Sequence, residues 1–494
     1  CEVLEQPDRK YRANPGMFSI ASASGDELSP SIDEEKSGAH RAISPDASST
    51  SEFLKTLFLL LDEYGVRYCV LHSWESLPFE LLSDLDLAVH PEDREKLAAV
   101  FRKLQESGYL LIQCFNYSVN AYYFVFGWFE DLSLRSVPLD FIFEHWRSGL
   151  SVLSVPEIID HRERYGEMWI PSRQHQFAYL LAKKTWKGKA SLAQGQQLKQ
   201  LVEILGRAES ETIASKIFLG RWNHQIVAAC LEDSVSTRLE IVRNLPWMTA
   251  VIRHPLQLAR YVWQQGCRLI KRWLHPTGIL IAVLGPDGSG KDTVITGMSH
   301  ALRRSFRRVA FYHWRPNVLF PRKAAPPVTN PHAKPLRGKF ISSLYLAGFV
   351  LDYWIAYAFR IRHHLTHSTL VIFDRYFYDI IVDPKRARFG GPVWVAELLA
   401  RMVPRPDLTL LLDADERVMY ARKGELPVAE LRRQRQAYRE LSVGRGSRKT
   451  VQTDQTIEKS IADATAAVVK YLHERFERRD EEWLRQSALP NVGK

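Results

Sequence analysis

The chain has 494 residues, of which 46% are hydrophobic, 25% charged and 11% aromatic. That composition excludes wholesale disorder and the collagen-like and disulfide-scaffold classes, and it leaves room for two or three domains. Lys and Arg number 67 against 56 Asp and Glu, a formal net charge of +11, so an anionic partner is expected: phosphate, nucleic acid or lipid headgroup.

Five cysteines, Cys1, Cys69, Cys114, Cys230 and Cys267, are scattered without a CxxC pair. They argue against a metal cluster and suit a reducing, cytoplasmic setting. No run reaches about 18 uncharged apolar residues, so no membrane span is expected. The best candidate, Ile341 to Phe359, is interrupted by Asp352. The N-terminus lacks the basic-then-apolar order of a signal peptide.

Residues 1–50 carry five Lys/Arg and nine Asp/Glu amid Ser, Pro, Gly and Ala, and they read as a disordered tail. A helix is predicted over SEFLKTLFLLLDEYG, with Ser51 as cap and Gly65 as stop. VRYCVLH and DLDLAVH then read as strands, PEDREKLAAVFRKLQESG as an amphipathic helix, and YLLIQCF, AYYFVFGWF and VPLDFIFE as further strands. This gives an α/β module over 51–150. A mostly helical region and basic connector follow over 151–277. Within 250–275, broken by Pro255, Arg253, Arg260, Arg268, Lys271 and Arg272 occur without an acid, interleaved with Trp263 and Trp273. A solvated interdomain connector and a membrane-surface helix both fit that pattern. From Gly278, GILIAVLG, RVAFYHW, TLVIFD and LTLLLDA alternate with helical stretches to about 473, which predicts a parallel sheet with helices on both faces. Residues 474–494 read as a tail.

The strongest motif is Gly285-x-x-x-x-Gly290-Lys291, which follows an apolar strand and opens a helix. Such glycines let successive backbone N–H groups of Gly285, Asp287, Gly288, Ser289 and Gly290 surround phosphate oxygens, and the helix N-terminus adds positive potential. Lys291 would reach the β- and γ-phosphates. Asp292 stands where Ser or Thr normally holds Mg²⁺, with Thr293 next, so either the metal geometry differs or activity is weakened.

GPDGSGKDT, VIFDRYFYD and RPDLTLLLDADERVMYARKGE together resemble the thymidylate kinase family of P-loop nucleotide kinases. Asp287-Gly288 matches its phosphate loop and Asp374-Arg375-Tyr376 its Asp-Arg-Tyr strand end. Pro406-Asp407 and Leu412-Asp413 match its next strand, and Arg422 to Arg439 its arginine-bearing lid. The resemblance spans roughly 278–473. It implies ATP and Mg²⁺ as cofactors, with Asp374 (and Asp292) on the metal and Arg375 and Tyr376 toward the acceptor. Arg422, Arg432 and Arg435 would act on the transferred phosphoryl group. Independently, 301–340 carries ten Lys/Arg and no acid; Arg315 is the favoured acceptor contact there. The positions that usually shape a thymine pocket are not recognisable in YFYDIIVDPKRARFGG, so thymidylate is a family default only.

In the N-terminal module, Asp84 and Asp86 alternate on one strand and Asp140 sits on another, which is the two-metal logic of nucleotidyl transfer. The arrangement resembles the minimal nucleotidyltransferase fold, although LHSWESLPFE has no glycine where that fold cradles a triphosphate. The expected activity is an ATP-dependent phosphotransferase acting on a nucleoside monophosphate or another anionic acceptor. A sugar or glycan kinase, a nucleotidyltransferase and a catalytically weak nucleotide-binding scaffold remain open. No nucleic-acid partner is expected, because the basic residues cluster around phosphate motifs. Contact with an anionic membrane and a homodimer are left open.

Overall fold

The computed structural model describes residues 45–81, 83–147, 150–232, 234–319, 332, 335–441 and 447–485. Residues 1–44 of the predicted tail over 1–50, and residues 320–331 and 333–334 of the basic stretch 301–340, lie outside the described residues; residues 45–50 are helical, against the tail reading.

The first helix, Pro45–Glu63, begins ahead of the predicted Ser51 cap. Its stripe Phe53, Leu54, Leu57, Phe58 and Leu61 has helical spacing and is buried in the N-terminal core. It covers a five-stranded sheet of β1 (Tyr68–Val70), β2 (Leu85–Val89), β3 (Leu110–Ser118), β4 (Ala121–Glu130) and β5 (Ser133–Ile142), in the order β1-β2-β5-β4-β3. Only β2 and β5 pair in parallel, and their register sets Asp86 directly beside Asp140. Two small hairpins follow, β6 (His145–Arg147) with β7 (Leu150–Leu153) and β8 (Glu163–Tyr165) with β9 (Met168–Ile170). Helices then build a separate core around Phe177, Leu181, Leu198 and Leu239.

The C-terminal module is a five-stranded, all-parallel sheet of β10 (Ile279–Leu284), β11 (Arg308–His313), β12 (Thr369–Asp374), β13 (Leu408–Asp413) and β14 (Arg448–Gln452). Its order is β11-β12-β10-β13-β14. The strands are apolar at consecutive positions because both faces are covered. Leu280, Ala282 and Phe373 face one core with the helix Lys339–Ala356. Ile281, Val283 and Ile372 face the other, with the helices Lys291–Ala301 and Ile457–Arg485. With β12 and β13 on either side of β10, the crevice at the carboxyl ends of these strands is the topological switch point, where ligands bind in open α/β sheets.

The two modules share a core, since Ile112 and Val125 of the N-terminal sheet join the second C-terminal cluster. Gln113 Nε2 donates to Thr277 O and Ser305 O, each at 3.2 Å, and Arg475 Nη1 donates to Gly278 O at 2.8 Å. The final helix runs to Arg485, so the segment read as a tail from 474 is helical over most of its length. The segment Lys339–Thr366 is long and apolar enough to cross a membrane by length and composition, contrary to expectation. Its Asp352 is fully buried and accepts backbone N–H groups from Asn317, Val318 and Leu319 at 3.0, 2.8 and 2.7 Å. Those bonds explain a carboxylate inside an apolar helix.

Candidate active site

The phosphate loop joins the end of β10 to the helix Lys291–Ala301. A Cβ on Gly285 would meet Leu412 O at 2.7 Å and Ser289 Oγ at 2.8 Å. Gly288 has φ +82°, and a Cβ there would run into Met419 O, so only glycine allows this close backbone approach. Gly290 caps the helix in the left-handed region. Lys291 is buried; its Nζ donates to Gly285 O at 2.8 Å and Pro286 O at 2.7 Å. Burial, and Arg375 beside it, pull the ammonium down to about 8. Asp292 and Thr293 are exposed on the first turn of the helix.

Asp374 ends β12, in register with Val283 on β10 and His313 on β11. His313 Nδ1 donates to Asp374 Oδ2 at 2.8 Å. Burial alone would raise this carboxyl, but the His313 bond and the charge of Lys291 hold it below the ordinary range. Asp374 Oδ1 and Ser289 Oγ are buried without a hydrogen-bond partner. The glycine cradle, these two oxygens and a buried lysine fit a nucleotide triphosphate with its Mg²⁺. Asp374 is the carboxylate available to the metal and the loop's N–H groups are available to phosphate.

Arg375 and Tyr376 do not stand open to an acceptor. Arg375, in the left-handed region at φ +68°, is buried; its Nη2 reaches Asp287 Oδ1 at 2.5 Å and its Nη1 reaches Asp379 Oδ1 at 3.2 Å. Arg386 also pairs with Asp287, and Lys423 Nζ lies 3.9 Å from it. Burial opposes ionisation of Asp287, but Arg375, Lys291 and Arg386 outweigh it and depress its pKa strongly. Tyr376 is a core residue whose hydroxyl donates to Pro404 O. Its neighbour Asp379 accepts from Tyr438 OH at 2.5 Å.

Of the lid arginines, Arg422 is the one beside the loop. Its Nη2 donates to Thr453 O at 2.7 Å, and its Nη1 would lie 3.9 Å from a Cβ on Gly290. Arg432 is held on Glu416 at 2.8 Å, and Arg435 on Asp413 at 2.6 Å and Glu416 at 2.9 Å. Those two are neutralised by carboxylates rather than aimed at the loop. Arg315 is buried with its guanidinium 4.7 Å from the Phe349 ring centre, on the loop that Asp352 fastens. Sequence reasoning assigned no role to His313, Arg386 or Asp379. His313 was legible in principle, as the last residue of a strand that runs parallel to the one ending in Asp374.

The three N-terminal carboxylates form a separate cluster. Asp86 is buried, and its Oδ2 lies 2.7 Å from His72 Nε2, 2.5 Å from Lys183 Nζ and 2.5 Å from Tyr179 OH. Tyr117 OH lies 2.7 Å from both oxygens of Asp140. Burial raises Asp86, but Lys183 and His72 win and hold it well below its usual range. Asp140 moves up, through burial and the charge of Asp86, and Asp84 moves up for the same two reasons. Tyr179 and Lys183 are one helical turn apart on the helix Arg173–Lys187, a spacing that puts both on one face. His72 occupies the segment noted for its missing glycine, and Ser73 beside it takes φ +57°.

Residues 283–467 match the family model of thymidylate kinase. No curated protein matches the chain. Among solved structures, the crystal structure of thymidylate kinase from Ehrlichia chaffeensis is similar over 40% of this chain and 98% of that one, at 17% identity and a TM-score of 0.26. The family match and the ordered motifs carry the assignment: the C-terminal domain is thymidylate kinase-like, a mixed α/β unit with a five-stranded parallel sheet flanked by helices.

Proposed function

We propose that the protein is an ATP-dependent phosphotransferase that moves the γ-phosphate of ATP to an anionic acceptor, with thymidylate as the family default. The observation that carries this reading is the glycine cradle of Gly285–Lys291 at the sheet's switch point, with its own Ser289 Oγ and Asp374 Oδ1 at the end of β12 buried without a hydrogen-bond partner. Mg²⁺ bound there would neutralise charge on the transferred phosphoryl group. Among this chain's own groups, the loop N–H groups orient the phosphates, Lys291 supplies positive charge and His313 fixes the orientation of Asp374. Arg422 approaches from the lid. On the acceptor side Arg315, already the favoured contact, is kept and Arg375 is set aside, because Asp287 and Asp379 hold Arg375.

Thymidylate itself is proposed to be at best a poor substrate. Tyr376 is committed to the core, and the segment after it supplies Asp379 and Arg386 to an internal ion network rather than to a base pocket. The test compares ATP consumption with thymidylate, other nucleoside monophosphates and phosphorylated sugars, for the natural protein and Arg315→Ala. Turnover of thymidylate above about 10⁴ M⁻¹s⁻¹, an ordinary enzyme value, overturns the unusual-acceptor reading. No ATP consumption with any acceptor overturns the kinase reading in favour of a binding scaffold.

A second reading, nucleotidyl transfer by the N-terminal module, is favoured by the register of Asp86 beside Asp140. Its test is metal-dependent transfer of label from an α-labelled nucleotide, lost in Asp86→Asn.

A further inference from the structure

The helix Pro255–Leu274 has two unlike faces. Its inner face is built from arginines. Arg268 Nη1 donates to Asn116 O on β3 at 3.2 Å, and Arg272 Nη2 donates to Ser368 Oγ, just before β12, at 2.9 Å. Arg362 Nη2 closes the far end by donating to Leu274 O at 2.9 Å. The helix is thus a strut between the two modules, and two of the cations that suggested a solvated basic face are structural.

The outer face is apolar and open. Leu256 is 84% exposed, Trp263 75% and Ile270 64%. These residues fall at seven-residue intervals, so they lie on one stripe along a 20-residue helix about 30 Å long. The preceding helix, Leu245–Arg253, adds exposed Trp247, Met248 and Ile252. Arg253 and Arg260 are exposed beside the stripe, and residues 245–277 contain no Asp or Glu. The segment Lys339–Thr366, tied to the strut through Arg362, carries a second open stripe of Phe340, Leu344, Leu351 and Phe359. Open apolar surface on this scale marks an interaction site.

We propose that this face docks on an anionic phospholipid surface, with the strut helix lying in the plane of the interface. Two tryptophans on the helix, Trp263 and Trp273, are both exposed and suit the headgroup level, while the flanking arginines suit lipid phosphate. Crossing the bilayer is excluded for the strut by Arg260, Arg268, Lys271 and Arg272 within its length. It is excluded for Lys339–Thr366 by the inner face of that segment, where Leu346, Phe349 and Tyr353 belong to the core of the C-terminal sheet. A second copy is the poorer occupant. A twofold contact sets a patch against itself, so Arg253 and Arg260 would meet cations with no acid in 245–277 to neutralise them. The inference is independent of the phosphotransferase reading.

The test is co-sedimentation of the full chain with vesicles of phosphatidylcholine alone and with vesicles about one-third phosphatidylglycerol. The protein should sediment with the anionic vesicles only. Binding should fall as salt rises from about 0.1 M to about 1 M, where the screening length shrinks from about 10 Å to about 3 Å. Trp263→Glu combined with Ile270→Glu should weaken binding at least about tenfold, the factor that burying one such side chain supplies. Its melting temperature, and the shift that ATP produces in it, should match those of the natural protein. Arg260→Glu should weaken binding less and reduce its salt dependence. Absence of binding, equal binding to neutral vesicles, or unchanged binding by the double variant overturns the proposal. A dimer in light scattering that the double variant splits, without vesicle binding by either protein, also overturns it and assigns the face to a second copy.

Discussion

The pKa values of Asp287 and Asp140 are shifted in opposite directions, and the contrast separates the two carboxylate sites of the molecule. Asp287, in the phosphate loop, is met by Arg375, Arg386 and Lys423; its pKa is driven down. Asp140 is met by Asp86 and the Tyr117 hydroxyl, and its pKa is driven up. One site has cations grouped where phosphate is to be held. The other has carboxylates grouped together, with the Lys183 ammonium and the His72 ring against Asp86. The same residue type therefore marks two different chemistries, decided by its neighbours.

The largest effect should come from breaking the cation-rich site. Lys291→Ala should lower phosphoryl transfer by about 10²–10³ or more, the usual cost of removing a donor aimed at developing charge. The far-UV spectrum should not change, while the two buried carbonyls left without a donor cost about 1–3 kcal/mol and lower the melting temperature. Wild-type turnover in this variant would remove the loop from the mechanism.

Next is Asp287→Ala, which leaves Arg375 and Arg386 facing each other with one carboxylate fewer. Removing one partner of a buried pair costs about 3–5 kcal/mol, measurable by urea unfolding. The pH dependence has a definite sign. A carboxyl whose folded pKa is depressed contributes stability that is fully present above its unfolded value, about 3.9, and is lost as pH falls through the lower folded value. The natural protein should therefore lose stability in acid more steeply than the variant. Parallel curves would mean that the arginines do not hold Asp287 in solution.

The acid-rich site is sharpened by Lys183→Met. Asp86 then lies beside Asp140 with one cation fewer, a loss of about 1–3 kcal/mol for a buried group deprived of its partner. Kinase turnover should be unchanged. Mg²⁺ should raise the melting temperature of the variant more than that of the natural protein, because bound ion stabilises by mass action. An equal Mg²⁺ response in both proteins would dissolve the contrast between the two sites.

What was legible in the sequence follows the range of the contacts. The phosphate loop is one continuous run whose glycines have local steric reasons, and the order of β10 to β13 was readable as apolar runs. β14 was not, because RKTVQ has no apolar alternation. Pairings across the fold carried no sequence signal: Lys183 reaches Asp86 across 97 positions and His313 reaches Asp374 across 61. Asp-Arg-Tyr was readable as a motif, yet the fate of its side chains was not. Asp287 and Asp379 draw Arg375 inward, and the core takes Tyr376. The glycine-free LHSWESLPFE looked like a lost triphosphate cradle; folded, it places His72 on Asp86.

The smallest effect expected is on the acceptor side. Asp352 accepts three backbone N–H groups from 317–319, and so fixes the loop that carries Arg315 over Phe349. In Asp352→Asn one oxygen remains an acceptor, while the new amide faces an N–H and repels it. One or two bonds of about 1 kcal/mol each are lost, and the loop loosens without leaving its place. Because Arg315 is proposed to bind the acceptor rather than ATP, the KM for acceptor should rise by at most about five- to thirtyfold, the factor those bonds convert to. The KM for ATP and kcat should hardly move, and the melting temperature should fall by only a few degrees. A change confined to kcat would instead put Arg315 at the transferred phosphoryl group, and the acceptor would then have to lie against another part of the crevice.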